Sequence, residues 1–223
     1  MTTFALIHGA CHGAWCWDLL VPELEAGGAS AITMDLPVED PQAGIEEYAA
    51  TVLAALDGAP GDLCIVGHSM GGLVAPVVAE RRACRRLVLL AAPIPEPGNV
   101  MLEPAYDERY LAASTLGPDG CVRFPREAAM EWFYHDCSPE IAGWAAGLLR
   151  PQGVRSRDDP SPLQSWPQVP LSYVLCAEDR IIDPAWVRSV VAERFGLVAH
   201  ELGAGHSPFL SRPAELAELL LGL

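Results

Sequence analysis

An α/β fold is expected from this sequence: a mostly parallel sheet flanked by helices, with a helical cap insertion between two central strands. Three observations carry that expectation. Short, continuously apolar runs at residues 63–66, 86–91 and 171–176 alternate with stretches of helical spacing. Strands that are apolar at every position have both faces covered, which is the burial a parallel sheet requires. The rhythm breaks once, between residues 94 and 167, and then resumes.

The elements follow in order. Residues 3–8 are an apolar run ending in His8-Gly9-Ala10, a strand that breaks into a loop. Residues 17–26 have helical spacing and stop at Gly27-Gly28, and residues 29–34 form a short strand ending at Asp35. Residues 45–56 repeat apolar positions every three and four residues, a helix. The buried strand at 63–66 leads into a helix at 70–82 and a further strand at 86–91. Pro93-Ile94-Pro95-Glu96-Pro97-Gly98 then interrupts. Up to about residue 167 there are three helix-like pieces, 103–115, 126–135 and 139–149, and no strong buried strand. A Pro- and Ser-rich joint at 160–170 leads to a strand at 171–176, a helix at 184–195, a strand at 197–202 and a last helix at 213–221. The chain reads as one domain, 1–223, with a cap at 94–167 inserted in it. Such insertions can act as lids.

Composition narrows the partners. The chain has 223 residues, 51% of them hydrophobic, and a formal net charge of -15. Nucleic acids and anionic membranes reward positive patches, so neither is an expected partner. All 14 basic residues are Arg, and with abundant Ala, Gly and Pro this suits a high-GC bacterial genome. No apolar run is long enough to span a bilayer, and the first residues lack the pattern of a secretory signal. A soluble, cytoplasmic protein is therefore expected. The seven cysteines are odd in number and form no CxxC pair, which fits reduced thiols packed as small hydrophobes. No metal or cofactor is expected. A homodimer is left open.

The chemistry centres on Gly67-His68-Ser69-Met70-Gly71. A serine hydroxyl is a weak nucleophile until it is held exposed and its proton is removed. In GxSxG the serine sits on a strained turn between strand and helix, and the glycines avoid collisions with neighbouring backbone. A buried strand before the motif and an apolar helix after it supply the context the motif needs. Ser69 is the expected nucleophile. Among six histidines, His206 lies in a small-residue loop after the last strand, placed to reach the serine as base. The acid belongs after the preceding strand, where Asp179 is the choice, with Glu178 and Asp183 as alternatives. The oxyanion needs two backbone N–H donors. Met70 follows the nucleophile, and Ala10 lies in the Gly-rich loop after the first strand. His8 and His12 are expected to shape that loop. For the substrate pocket, Gly9, His12, Trp132, Tyr134 and His135 are the candidates, although an aromatic cluster in a helix is more often core.

The stretch His8-Gly9-Ala10-Cys11-His12-Gly13-Ala14-Trp15-Cys16-Trp17, with Gly67-His68-Ser69-Met70-Gly71-Gly72, Ala177-Glu178-Asp179-Arg180 and Gly205-His206-Ser207-Pro208, resembles the plant methylesterase and hydroxynitrile lyase group of α/β-hydrolases and their bacterial esterase relatives. The resemblance is specific in the first loop and the serine turn, and fades between residues 94 and 167. It implies an α/β-hydrolase fold and one of two chemistries. The similar lyases carry Thr where Gly9 stands and Lys directly after the catalytic His. Here position 207 is Ser and the chain has no Lys, so no cation waits for departing cyanide. The expected activity is hydrolysis of a small, hydrophobic or aromatic ester through an acyl-enzyme. Two alternatives stand beside it: a triad-bearing lyase or cyclase of natural-product biosynthesis, and a ligand-binding protein with a vestigial triad.

Overall fold

The computed structural model describes residues 1–59, 61–100 and 107–223. The chain begins with β1 (Thr3–Ile7), a 3-10 turn (Ala14–Trp17), α1 (Leu20–Ala26), β2 (Ser30–Thr33), α2 (Ile45–Ala55), β3 (Leu63–His68), α3 (Gly71–Arg81) and β4 (Arg86–Leu90). The insertion then contributes α4 (Glu108–Ala112), β5 (Thr115–Leu116), β6 (Cys121–Arg123), α5 (Arg126–Trp132), α6 (Pro139–Gly147), β7 (Gln152–Gly153) and α7 (Arg155–Asp158). The core resumes with β8 (Leu171–Cys176), α8 (Pro184–Phe195), β9 (His200–Leu202), α9 (Pro208–Ser211) and α10 (Pro213–Gly222).

Six strands form one parallel sheet in the order β2-β1-β3-β4-β8-β9. Successive side chains of a strand point to opposite faces, and both faces here are buried. Phe4, Leu6 and Val66 pack with Leu20 and Leu24 of α1, Val187 of α8 and Leu216 of α10. Their neighbours Ala5, Ile7 and Ile65 pack on the other face with Tyr48 and Val52 of α2 and Val74 and Val78 of α3. Each fully buried side chain of this size contributes about 1.5–3 kcal/mol relative to exposure. The chain runs from β1 out to β2 and then back to β3 on the other side of β1. This reversal opens a crevice at the carboxyl ends of β1 and β3, the usual place for a ligand in such sheets.

The insertion differs from its expected form. Residues 103–106 of the first expected helix lie outside the described residues. Its described part is only α4, and Thr115 pairs in a strand. The other two expected helices are present as α5 and α6. A small antiparallel sheet, β5-β6-β7, was not foreseen. Its strands are two or three residues long, too short to show alternation. A signal did exist: Pro118-Asp119-Gly120 is turn chemistry, and Gly120 has φ +79° in the hairpin joining β5 to β6. The short helix α9, directly after His206, was also not foreseen. Among the described residues no helix is long and apolar enough to cross a membrane.

Candidate active site

Ser69 follows β3 directly, with φ +49°, a left-handed conformation rare for a residue with a Cβ. Its N–H donates to the carbonyl of Leu90 at 3.0 Å, which holds the turn against β4. A Cβ on Gly67 would lie 2.4 Å from the carbonyl oxygen of Gly71, and one on Gly71 would lie 2.5 Å from that of Ile7. The motif glycines therefore let strand, turn and helix close on one another. Of the turn, Ser69 alone is not buried. The N-terminus of α3 lies behind it, where its dipole favours negative charge.

β8 and β9 each end in a loop that supplies one polar side chain. Asp179, nearly buried, accepts the N–H groups of Ile181 (2.8 Å) and Ile182 (3.1 Å) on Oδ1. Its Oδ2 accepts Nδ1–H of His206 at 2.8 Å. That bond leaves Nε2 of His206 as the basic nitrogen, and Nε2 is buried with no hydrogen-bond partner among the described residues. His68, the neighbour of Ser69, donates Nε2–H to the His206 carbonyl at 2.8 Å, and the two rings lie 4.9 Å apart. His68 thus ties the loop of His206 to the serine turn. The two alternative acids are used otherwise: Asp183 caps α8 by accepting from Ala185 N–H at 2.8 Å, and Glu178 is solvent-exposed.

The loop after β1 is held peptide by peptide. His8 donates Nδ1–H to the Gly9 carbonyl at 2.8 Å and accepts Leu36 N–H on Nε2 at 3.0 Å. The Gly9 carbonyl belongs to the same peptide as the Ala10 N–H, so His8 orients that donor. His12 donates Nδ1–H to the Ala10 carbonyl at 2.7 Å and accepts the Tyr134 hydroxyl on Nε2 at 2.8 Å. Gln152 Oε1 accepts Cys11 N–H at 3.1 Å, so the Ala10–Cys11 peptide is bonded at both ends. Cys11 carries φ +62°, a second left-handed residue beside the site. A Cβ on Gly9 would stand 2.9 Å from both the Ser69 Cβ and His68 Nδ1. A side chain there requires the His68 ring or Ser69 to shift.

Burial sets the charge of these rings. It lowers His8 to about 4 and His12 to about 3, and it holds His68 well below its ordinary value, where the neighbouring His206 and His12 lower it further. All three are neutral at pH 7, consistent with the hydrogen bonds they make. Burial also pushes the Cys11 thiol up to about 12, so it is no nucleophile.

A cavity of about 250 Å³ opens over Ser69. From the core it is lined by Ala10, Met70, Leu73 and Ser69 itself. From the insertion it takes an apolar side, Tyr110, Leu111, Val122 and Phe124, and a polar side, Gln152, Ser156 and Arg157. The pocket candidates of the second expected insertion helix, 126–135, lie elsewhere. Trp132 is buried and borders a wider polar cleft of about 580 Å³ beyond Asp179, with Arg109 stacked 5.6 Å from its ring centre. That cleft does not reach Ser69 among the described residues, so the smaller cavity is the candidate site. Tyr134 is buried under His12, and His135 contacts the Glu178 carbonyl at 3.1 Å. Residues 132–134 follow the core reading of an aromatic cluster: all three are buried, and Phe133 packs 5.5 Å from His12 and 6.2 Å from His206. Sequence reasoning missed Gln152, Tyr110 and Phe124. Tyr110 and Phe124 stack at 5.4 Å across the cavity wall.

A six-stranded parallel sheet with a strained serine turn after β3 and an Asp and a His after the next two core strands beyond β4 defines the α/β-hydrolases. The Alpha/beta hydrolase family model matches residues 4–219, and the chain belongs to that family. It is 30% identical to a probable esterase, PIR7A, of Oryza sativa subsp. indica, over 98% of this chain and 95% of the other. It is 28% identical to norfluorocurarine synthase 2 of a Strychnos species, over 98% and 93% of the two chains. The crystal structure of the methylesterase protein MES16 from Arabidopsis superposes with a TM-score of 0.83, at 26% identity, over 100% and 98% of the two chains. By this kinship the chain is an α/β-hydrolase of the carboxylesterase type.

Proposed function

We propose that the chain hydrolyses a small carboxylic ester, with Ser69 as nucleophile, His206 as general base and acid, and Asp179 as the carboxylate that orients it. The observation that carries this reading is the state of His206. Its Nδ1–H is committed to Asp179 at 2.8 Å, and its Nε2 is buried and unpartnered beside the serine turn. An imidazole in that tautomer accepts a proton from a serine hydroxyl.

The steps follow. Nε2 takes the Ser69 proton as Oγ attacks the ester carbonyl. The N–H groups of Ala10 and Met70 receive the oxyanion, the first oriented through the Gly9 carbonyl by His8. The tetrahedral intermediate collapses, and His206 protonates the departing alkoxide. A water deprotonated by His206 then attacks the acyl-enzyme, and the acid leaves with Ser69 restored. No step needs a metal or cofactor. The apolar wall of Tyr110, Leu111, Val122 and Phe124 favours a hydrophobic or aromatic group on the ester. The crowding at Gly9 and the absence of Lys after His206 count against cyanohydrin cleavage.

The test is a panel of p-nitrophenyl and methyl esters assayed with the wild type and Ser69→Ala. Turnover that falls by about 10⁴-fold or more in the variant is expected. A panel with no turnover dependent on Ser69 overturns the ester reading. A second reading, non-hydrolytic elimination or ring closure by the same triad, is favoured by the likeness to norfluorocurarine synthase 2. Turnover in oxygen-18 water separates the two: hydrolysis places the label in the product acid, and elimination does not. Fluorophosphonate labelling of Ser69 excludes a vestigial, merely ligand-binding site.

A further inference from the structure

Two consecutive insertion residues hold the two loops that supply the acid and the base. His135 Nε2 bonds the carbonyl of Glu178, the residue before Asp179, at 3.1 Å. Asp136 Oδ2 accepts the N–H of Gly205, the residue before His206, at 2.8 Å. The loops are also joined directly, Glu178 N–H to the Ala204 carbonyl at 3.0 Å. The other carboxylate oxygen, Asp136 Oδ1, is buried and has no hydrogen-bond partner among the described residues. The carboxylate is thus committed to the catalytic loop through one oxygen only.

We propose that Asp136, with His135, is a positioning residue of the triad. The pair pins Gly205 and Glu178, so that His206 and Asp179 keep their 2.8 Å contact and Nε2 keeps its approach to Ser69. This rests on the triad assignment made above. The insertion is then part of the catalytic framework as well as the roof of the cavity.

Gly205 supports the assignment independently. A Cβ there would stand 2.6 Å from Asp136 Oδ1 and 2.7 Å from His135 Nε2. Gly203, two residues earlier, has nothing within 4 Å of the corresponding position. Neither glycine has a left-handed backbone. The clamp, not chain conformation, accounts for Gly205. An Ala at 205 pushes only the far ends of two side chains, so it disturbs the clamp while sparing the fold.

The experiment measures the rate of fluorophosphonate labelling at Ser69, with kcat and KM on a cleaved ester and thermal melting as a check on folding. Displacement of a reacting group by about 1 Å can cost about 100-fold, so Asp136→Ala is expected to slow labelling and kcat by about 10–100-fold with KM little changed. Asp136→Asn keeps an oxygen acceptor for Gly205 N–H and restores most of the rate. Gly205→Ala reproduces Asp136→Ala, and Gly203→Ala matches the wild type. Wild-type rates in Asp136→Ala, a loss that Asn does not rescue, or equal behaviour of the two glycine variants would each overturn the positioning role alone. A wild type that resists the reagent overturns the triad assignment, and this proposal with it.

Discussion

The loops at the carboxyl edge of the sheet and the insertion above them hold the site by different means. The edge loops use backbone: left-handed residues at Ser69 and Cys11, motif glycines, and histidines bonded to carbonyls one or two residues away. The insertion uses side chains that reach across the chain. Gln152 bonds Cys11 at a separation of 141 residues, Tyr134 bonds His12 at 122, and Asp136 bonds Gly205 at 69. Backbone geometry of this kind is local and rigid, so it suits the reacting atoms. Side-chain struts can be exchanged without rebuilding the sheet. Gln152 does both: it lines the cavity over Ser69 and braces the loop below it.

The strongest way to break this comparison is to remove an edge residue that the insertion does not replace. Asp179→Asn is expected to keep the fold and lower kcat by about 10⁴-fold, because the amide favours the wrong tautomer of His206. A smaller loss, below tenfold, would mean that Glu178 or Asp183 serves as the acid.

Acid tests the edge region as a whole. His8, His12 and His68 are buried and neutral, with folded values below the ordinary 6.5. Each must take up a proton on unfolding at low pH. Their contribution is complete above about pH 6.5 and is lost as pH falls toward about 4 for His8 and about 3 for His12. Below pH 6, each withdraws about 1.4 kcal/mol of stability per pH unit, together about 4 kcal/mol. Denaturant melts between pH 7 and 5 measure this slope. His12→Gln is expected to reduce it by about one third. A stability that is flat over that range would show the three rings to be solvated or charged.

The sheet and the edge residues were legible because their causes are local. A fully apolar strand signals two covered faces, and GxSxG carries its strain in five adjacent residues. The order of strands then places Asp179 and His206 after β8 and β9. The insertion was not legible in the same way. Trp132 and Tyr134 are placed by packing partners far along the chain, and nothing near Gln152 in sequence announces Cys11. The helices at 126–135 and 139–149 were read from their spacing and are present as α5 and α6, whereas the β5-β6 hairpin was missed although Pro118-Asp119-Gly120 is turn chemistry.

Gln152→Leu sharpens the comparison from the insertion side. It leaves the Cys11 N–H without its acceptor and the Tyr48 hydroxyl without its 3.0 Å donor from Nε2. The Cys11 N–H so orphaned costs about 1–3 kcal/mol, while the Tyr48 hydroxyl keeps its bond to Ser156. Both stability and kcat are expected to fall, since the Ala10–Cys11 peptide loses one of its two bonds. Unchanged kcat with lowered stability would confine Gln152 to a structural part.

Tyr134→Phe is the mildest change, and the one that separates bracing from catalysis. It removes only the hydroxyl at 2.8 Å from His12 Nε2 and leaves the ring packing in place. The orphaned nitrogen costs about 1–2 kcal/mol, read as a lower Tm. His12 still donates Nδ1–H to the Ala10 carbonyl, and Gln152 still holds the other end of that peptide. The loop after β1 therefore keeps its shape, and kcat should stay within about threefold of wild type. A larger fall in kcat than in stability would mean that the His12 ring turns when its strut is lost. The edge loops would then depend on the insertion for their geometry as well as for their stability.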